Sequence, residues 1–292
     1  MKKIKVLLAA FFCLLGIVGC DFIIKTVEFG DGQTGGGGGG QQSWTNRDRG
    51  SGTTLPTGAI DGDFFRLRTH GTEIVVVFVS AGTFRQGVGA PSSWSTVERQ
   101  VTLTRGFWIG KYPVIQAQYQ AVMGNNPSHF SGHPNNPVER VSWYDAVDFA
   151  SRIGGRLPTK AEWEFAARGG NRSRGFIYSG SNNLNEVGWF SDNWGQVNER
   201  TNVVGLLAPN ELGIYDMSGN VWEWVSDWWS LYFNPTILTN PTGPITGSGR
   251  VVRGGSWNGD AESARVTDRD IGGTVIRWSH YGFRVVFPPN SN

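Results

Sequence analysis

The chain has 292 residues, enough for one large domain with a substantial core, and its formal net charge of +2 leaves no basic footprint for nucleic acid. Its 42 glycines and 13 tryptophans favour a loop-rich fold pinned by large aromatics over a helical bundle. Cys13 and Cys20 are the only cysteines, so the sequence after them has no thiol for a disulfide, a zinc or copper site or a nucleophile.

Residues 1–19 read as a targeting segment to be set apart from the fold. Lys2, Lys3 and Lys5 precede an apolar run from Val6 to Val18, and Ile17-Val18-Gly19-Cys20 resembles a lipobox. Cleavage before Cys20 and acylation of its thiol would tether the chain to a bilayer by several acyl chains, which together anchor stably. No later run reaches the roughly 20 apolar residues of a membrane-spanning helix. Residues 20–60, with Gly35 to Gly40 in succession, are too polar to order themselves and are expected to be a flexible spacer. The folded domain is placed at 61–292.

Thr72 to Val79 has the β-branched content of a strand, and Val101 to Thr104 and Phe107 to Ile109 read as further strands. Ala117, Tyr119, Val122 and Met123 suit a short helix that Gly124 ends. Ser142 caps a second helix with Asp145 three residues on; Val147, Phe149, Ala150 and Ile153 face the core, and Gly154-Gly155 stop it. Thr159 and Glu162 open a third, packed through Trp163, Phe165, Ala166 and Ala167. Arg172 to Asn210 is polar and irregular. Trp222, Trp224, Trp228 and Trp229 follow and are read as core, so Asn220 and Glu223 among them need partners. Arg250 to Arg253 and Gly282 to Phe287 read as strands. The residues between them keep neither a helical nor an alternating period, which predicts a long surface excursion. Such a loop is uncommon in a compact domain unless it has a function.

Val76 to Phe84, Phe107 to Val114, Val138 to Trp143, Arg156 to Glu164, Asp216 to Trp224, Arg253-Gly254-Gly255-Ser256-Trp257 and Gly282-Phe283-Arg284 together resemble the formylglycine-generating-enzyme (sulfatase-modifying factor) family. The resemblance runs from Thr72 to Phe287 and implies an α+β, C-type lectin-like fold, loop-rich with short strands and two to three helices. Ile115 stands where the family usually caps its first helix with Thr. The family's copper-binding cysteines fall at Gly259 and Ala264 here, so the resemblance does not carry over the oxidase chemistry. A closer resemblance is to the variable proteins of diversity-generating retroelements, which share the fold. In these, mutagenic reverse transcription rewrites a C-terminal segment between Arg-Gly-Gly-Ser-Trp and Gly-Phe-Arg, here within 253–287.

That resemblance implies a non-catalytic ligand-binding segment. The candidate contact residues are Gly259, Asp260, Ser263, Asp268, Asp270, Ile271, Gly272, Gly273, Ile276, Trp278, Ser279, His280 and Tyr281. Trp278 and Tyr281 are the expected anchors, because aromatic rings give contact area at low rotamer cost. Arg253, Ser256, Trp257, Arg265, Arg269 and Arg284 are read as scaffold. The expected protein is a monomeric lipoprotein of the bacterial outer membrane or cell surface, anchored through Cys20, whose partner is a protein or other cell-surface ligand. An enzyme of the same family with altered chemistry is the alternative. A calcium-dependent sugar lectin is weaker, because the Glu-Pro-Asn and Gln-Pro-Asp triplets are missing. The enzyme family also implies a structural calcium at Asp216, Gly219, Val221 and Glu223, two carboxylates and two backbone carbonyls being hard oxygen donors. Alternatively, the two carboxylates hydrogen-bond to backbone amides.

Overall fold

The computed structural model describes residues 46–90, 98–193, 200–230 and 238–290. The targeting segment, Cys20 and most of the expected spacer lie outside them. In chain order the strands are β1 Asp48–Gly52, β2 Phe64–Thr69, β3 Thr72–Val79, β4 Gly82–Gln86, β5 Arg99–Leu103 and β6 Phe107–Gly110. Helices α1 Gln116–Met123, α2 Trp143–Arg152, α3 Lys160–Ala167 and the single turn α4 Leu184–Val187 come next. Strands β7 Trp222–Trp228, β8 Leu238–Thr239, β9 Arg250–Arg253, β10 Arg269–Gly272, β11 Tyr281–Phe283 and β12 Val286–Phe287 complete the chain.

β3 carries the central sheet, ordered β1-β2-β3-β6-β12. Its side chains alternate between two cores, as a pleated strand requires. Ile74 and Val76 enter one core with Trp108, Phe149, Trp224 and Phe283. Val77 and Val79 enter the other with Ile109, Trp163, Phe165 and Val251. The sheet is therefore covered on both faces, by α1 and α2 on one side and α3 on the other. A four-stranded sheet, β10-β9-β7-β11, stands beside it and carries the C-terminal segment, and β4-β5-β8 forms a third.

The helix signals resolve as read. Ser142 Oγ accepts from Asp145 N at 3.2 Å while the Asp145 carboxylate accepts from Ser142 N at 2.8 Å. Thr159 Oγ1 and Glu162 close the same reciprocal pair on α3. Gly124 ends α1 at φ 82°, a left-handed turn that suits glycine. α1 has Ile115 at its N-cap and no side-chain cap; Gln118 Oε1 instead accepts from Ile115 N at 3.1 Å.

Three expectations are corrected. Order begins earlier than residue 61, because β1 pairs in parallel with β2 and Arg47 forms an ion pair with buried Asp63 at 2.6 Å. The tryptophan run is only half core: Trp222 and Trp224 are buried, while Trp228 and Trp229 are half-buried and stack on Arg250 and Arg269. The C-terminal excursion is not wholly irregular, since β10 pairs with β9 over four residues.

Candidate ligand-binding face

Two buried arginines fix the ends of the C-terminal segment. Arg253, fully buried on β9, donates to the Val266 and Thr267 carbonyls at 2.6 and 3.1 Å and to Glu164 at 3.0 Å. Arg284 grips Glu223 through Nε and Nη2 at 2.7 Å each and donates to the Gly110 and Tyr215 carbonyls at 3.0 and 2.9 Å. A guanidinium suits this task because its rigid fork of donors satisfies several carbonyls and a carboxylate at once. Both pairs are buried, so removing one partner would strand a buried charge. Between them Gly254 and Gly255 adopt φ of 93° and 71°, and a Cβ on Gly255 would fall 2.9 Å from the Ala264 backbone. Those two positions set the sharp exit from β9. Ser256 and Trp257 are also buried, and Arg269 is 6 % exposed, so these scaffold readings agree with the packing.

From this frame the chain runs outward. Asp260 accepts from Ser263 N at 2.8 Å and closes an exposed turn. Asp270 and Ile271 are exposed on β10, and Asp270 Oδ1 accepts from Ile271 N. The Thr274 carbonyl accepts from Trp143 N at 3.1 Å, and Arg277 holds Asp145 through two 2.9 Å bonds, so the loop is docked on the start of α2. Trp278 is 51 % exposed, and its ring lies 5.2 Å from that of half-buried His280. Burial pushes the His280 imidazole below its usual range, which favours the neutral ring. Burial likewise pushes the half-buried Asp268 carboxyl up to about 6.

The thirteen expected contact residues therefore divide. Asp260, Asp270, Ile271 and Trp278 face outward, and Gly259, Ser263, Asp268, Gly273, Ile276, Ser279 and His280 are partly covered. Tyr281 and Gly272 are corrections. Tyr281 is 1 % exposed, edge-on to Trp224 at 4.9 Å, and belongs to the core. A Cβ on Gly272 would fall 2.2 Å from the Trp224 ring, so this glycine is required by packing. Two residues of the same face were missed. Val275 is 66 % exposed, and Tyr144 is 54 % exposed beside Trp143, whose backbone the segment contacts. Tyr144 shares the solvent side of α2 with Asp148 and Arg152, a helical spacing visible in the sequence.

The four residues implied for calcium stand in another arrangement. Both Glu223 oxygens are held by Arg284, and Oε2 also accepts from Trp163 Nε1 at 2.6 Å. Asp216 accepts from Gly205 N at 2.7 Å, and burial pushes its carboxyl up to about 6. In this arrangement Glu223, already closed by a guanidinium and an indole, offers a cation little. Among the described residues no group of three or more His, Cys, Asp or Glu could hold a metal.

The geometry agrees with what the chain is similar to. Treponema denticola variable protein 1 superposes with a TM-score of 0.71 at 30 % identity, covering 77 % of this chain and 98 % of that one. A protein named as the chaperone LppX of Paenibacillus barcinonensis is 36 % identical over 245 residues, 66 % of this chain and 81 % of its own length. The formylglycine-generating enzyme of Thermomonospora curvata is 37 % identical over 205 residues, 63 % of this chain and 64 % of its own. The fold is thus the C-type lectin-like fold of the formylglycine-generating-enzyme type. Residues 65–288 match the sulfatase-modifying factor enzyme 1-like domain, and the chain belongs to that family.

Proposed function

We propose that this protein is a non-catalytic binding protein of the cell envelope, which presents the outward residues of its C-terminal segment to a protein partner. One observation carries the reading: a frame of buried arginine–carboxylate pairs and close-packed glycines holds a loop whose outward side chains are exposed, with the Trp278 ring resting against buried Tyr281 at 5.2 Å. Trp278 is the anchor, with Ile271 and Val275 exposed on the same segment for apolar contact and Asp270 and Asp260 for hydrogen bonding. The likeness to a variable protein and to a chaperone supports binding rather than turnover. Gly259 and Ala264, where the family's enzymes are expected to carry copper-binding cysteines, support the same view.

A library varied only at Asp260, Asp270, Ile271 and Trp278 tests the reading by selection against a panel of folded test proteins. Specific binders whose thermal midpoints match the parent are the expected result. A library that stays folded yet yields no binder contradicts it. Anchoring through Cys20 is part of the proposal. Labelled palmitate is expected to enter the parent chain, and Cys20→Ala is expected to take up none and leave the membrane fraction. A Cys20→Ala chain that remains membrane-bound would overturn the anchor.

A further inference from the structure

The displayed segment is joined to the start of α2, and the joints bracket a residue that belongs to neither core. Arg140 N donates to the Trp278 carbonyl at 3.1 Å, and Trp143 N donates to the Thr274 carbonyl at 3.1 Å. Arg277 then holds the Asp145 carboxylate through two 2.9 Å bonds. Tyr144 lies between the last two of these contact points and is 54 % exposed. Its base is rigid. Trp143 Nε1 donates to the Val225 carbonyl at 2.9 Å, and the Arg250 guanidinium lies 3.8 Å over the Trp143 ring. The Tyr144 ring stands edge-on to this indole, 5.3 Å away at 82°, an arrangement that aromatic quadrupoles favour. The Ser142–Asp145 capping box fixes the backbone on either side. The charged side chains of α2 are all paired, Asp148 with Arg152 at 3.0 Å and Asp145 with Arg277 at 2.8 Å. Tyr144 thus offers ring area and a hydroxyl without a net charge beside it on the helix.

We propose that the binding surface has a second part on α2, where Tyr144 contacts the same protein partner as the C-terminal segment, whatever side chains that segment presents. The inference rests on the reading of the segment as a binding face. Continuity carries it: the exposed apolar side chains of Tyr144, Ile271, Val275 and Trp278 stand on two elements tied together by hydrogen bonds and an ion pair. A tyrosine ring held in place before contact loses little rotamer freedom on binding, which makes it an efficient anchor. With the helix charges spent on one another or on the segment, this anchor suits partners of either sign.

Binders drawn from the library varied at Asp260, Asp270, Ile271 and Trp278, in which Tyr144 is constant, test the inference. Tyr144→Ala is placed in several binders selected against different test proteins, and their dissociation constants are measured by calorimetry on the full-length chain. Each constant is expected to rise on the order of tenfold, the scale of a truncated interface ring, while the chain stays folded because that ring is more than half exposed. Tyr144→Phe, which keeps the ring, is expected to retain most of the affinity. Tyr144→Gln provides a second truncation on a good helix former. Affinities unchanged in every binder, in whichever truncation folds, would overturn the inference and leave the segment reading standing. A loss confined to one binder would make Tyr144 an incidental neighbour and would overturn it as well. A folded library that yields no binder would remove the segment reading, and this inference with it.

Discussion

Glu139 is fully buried behind the displayed face. Its Oε1 accepts from Phe130 N at 2.7 Å, and its Oε2 has no hydrogen-bond partner among the described residues. Burial therefore pushes its carboxyl up to about 7. A raised carboxyl stabilises the fold only while protonated. The folded chain holds a proton that the unfolded chain releases near pH 4.3. That contribution is present below the unfolded pKa and is lost as pH rises to about 7, at up to about 1.4 kcal/mol per pH unit for one proton. Asp216 and Asp268 act in the same sense up to about pH 6. Denaturant midpoints are expected to fall between pH 5 and 7.5, and Glu139→Gln to flatten that slope. An unchanged slope in the variant would show that Glu139 is not the titrating group. The C-terminal residues also show how closely a sequence reading depends on register. With the last strand started at Gly282, Tyr281 falls in the loop. Starting it one residue earlier, as β11 does, puts Tyr281 on the same side as Phe283 and so in the core.

At the scale of elements, the helices and β3 were legible because capping and periodicity are local. Ser142–Asp145 and Thr159–Glu162 each satisfy orphan amides within four residues, and β3 alternates between its two cores within eight. β1 and β10 were not legible, for a shared reason. Asp48–Gly52 reads DRGSG and Arg269–Gly272 reads RDIG, neither with an alternating apolar face. Each becomes a strand only because a neighbour distant in sequence or structure offers its free edge, β2 to the first and β9 to the second. The half-core character of the tryptophan run was hidden likewise, since Arg250, lying 3.5 Å over Trp228, is supplied from another strand.

Across the whole molecule, Glu223–Arg284 and Glu164–Arg253 tie the displayed segment to both cores and the central sheet. The Glu223–Arg284 pair occupies the place where the family resemblance implies calcium. Thermal midpoints in millimolar calcium and in a chelator are expected to coincide. Arg284→Ala is expected to cost about 3–5 kcal/mol, because it leaves the Glu223 charge buried and unpaired. Calcium raising the midpoint by several degrees would show that the carboxylates serve a cation after all.

The central claim is that the fold depends on the frame of the C-terminal segment and far less on its outward residues. The thermal midpoint of a chain carrying Asp260→Ala, Asp270→Ala, Ile271→Ala and Trp278→Ala together, measured beside Tyr281→Ala, tests this most directly. Exposed positions away from core and caps each change stability by about 0.5 kcal/mol or less. Asp260, which closes a turn on Ser263 N, and Trp278, whose ring lies against Tyr281, add about 1 kcal/mol each. The quadruple variant should therefore stay folded and melt well above Tyr281→Ala. Tyr281→Ala removes a buried ring, should cost about 3–5 kcal/mol and should melt far lower. A quadruple variant that unfolds, or a Tyr281→Ala chain that melts with the parent, would contradict the account.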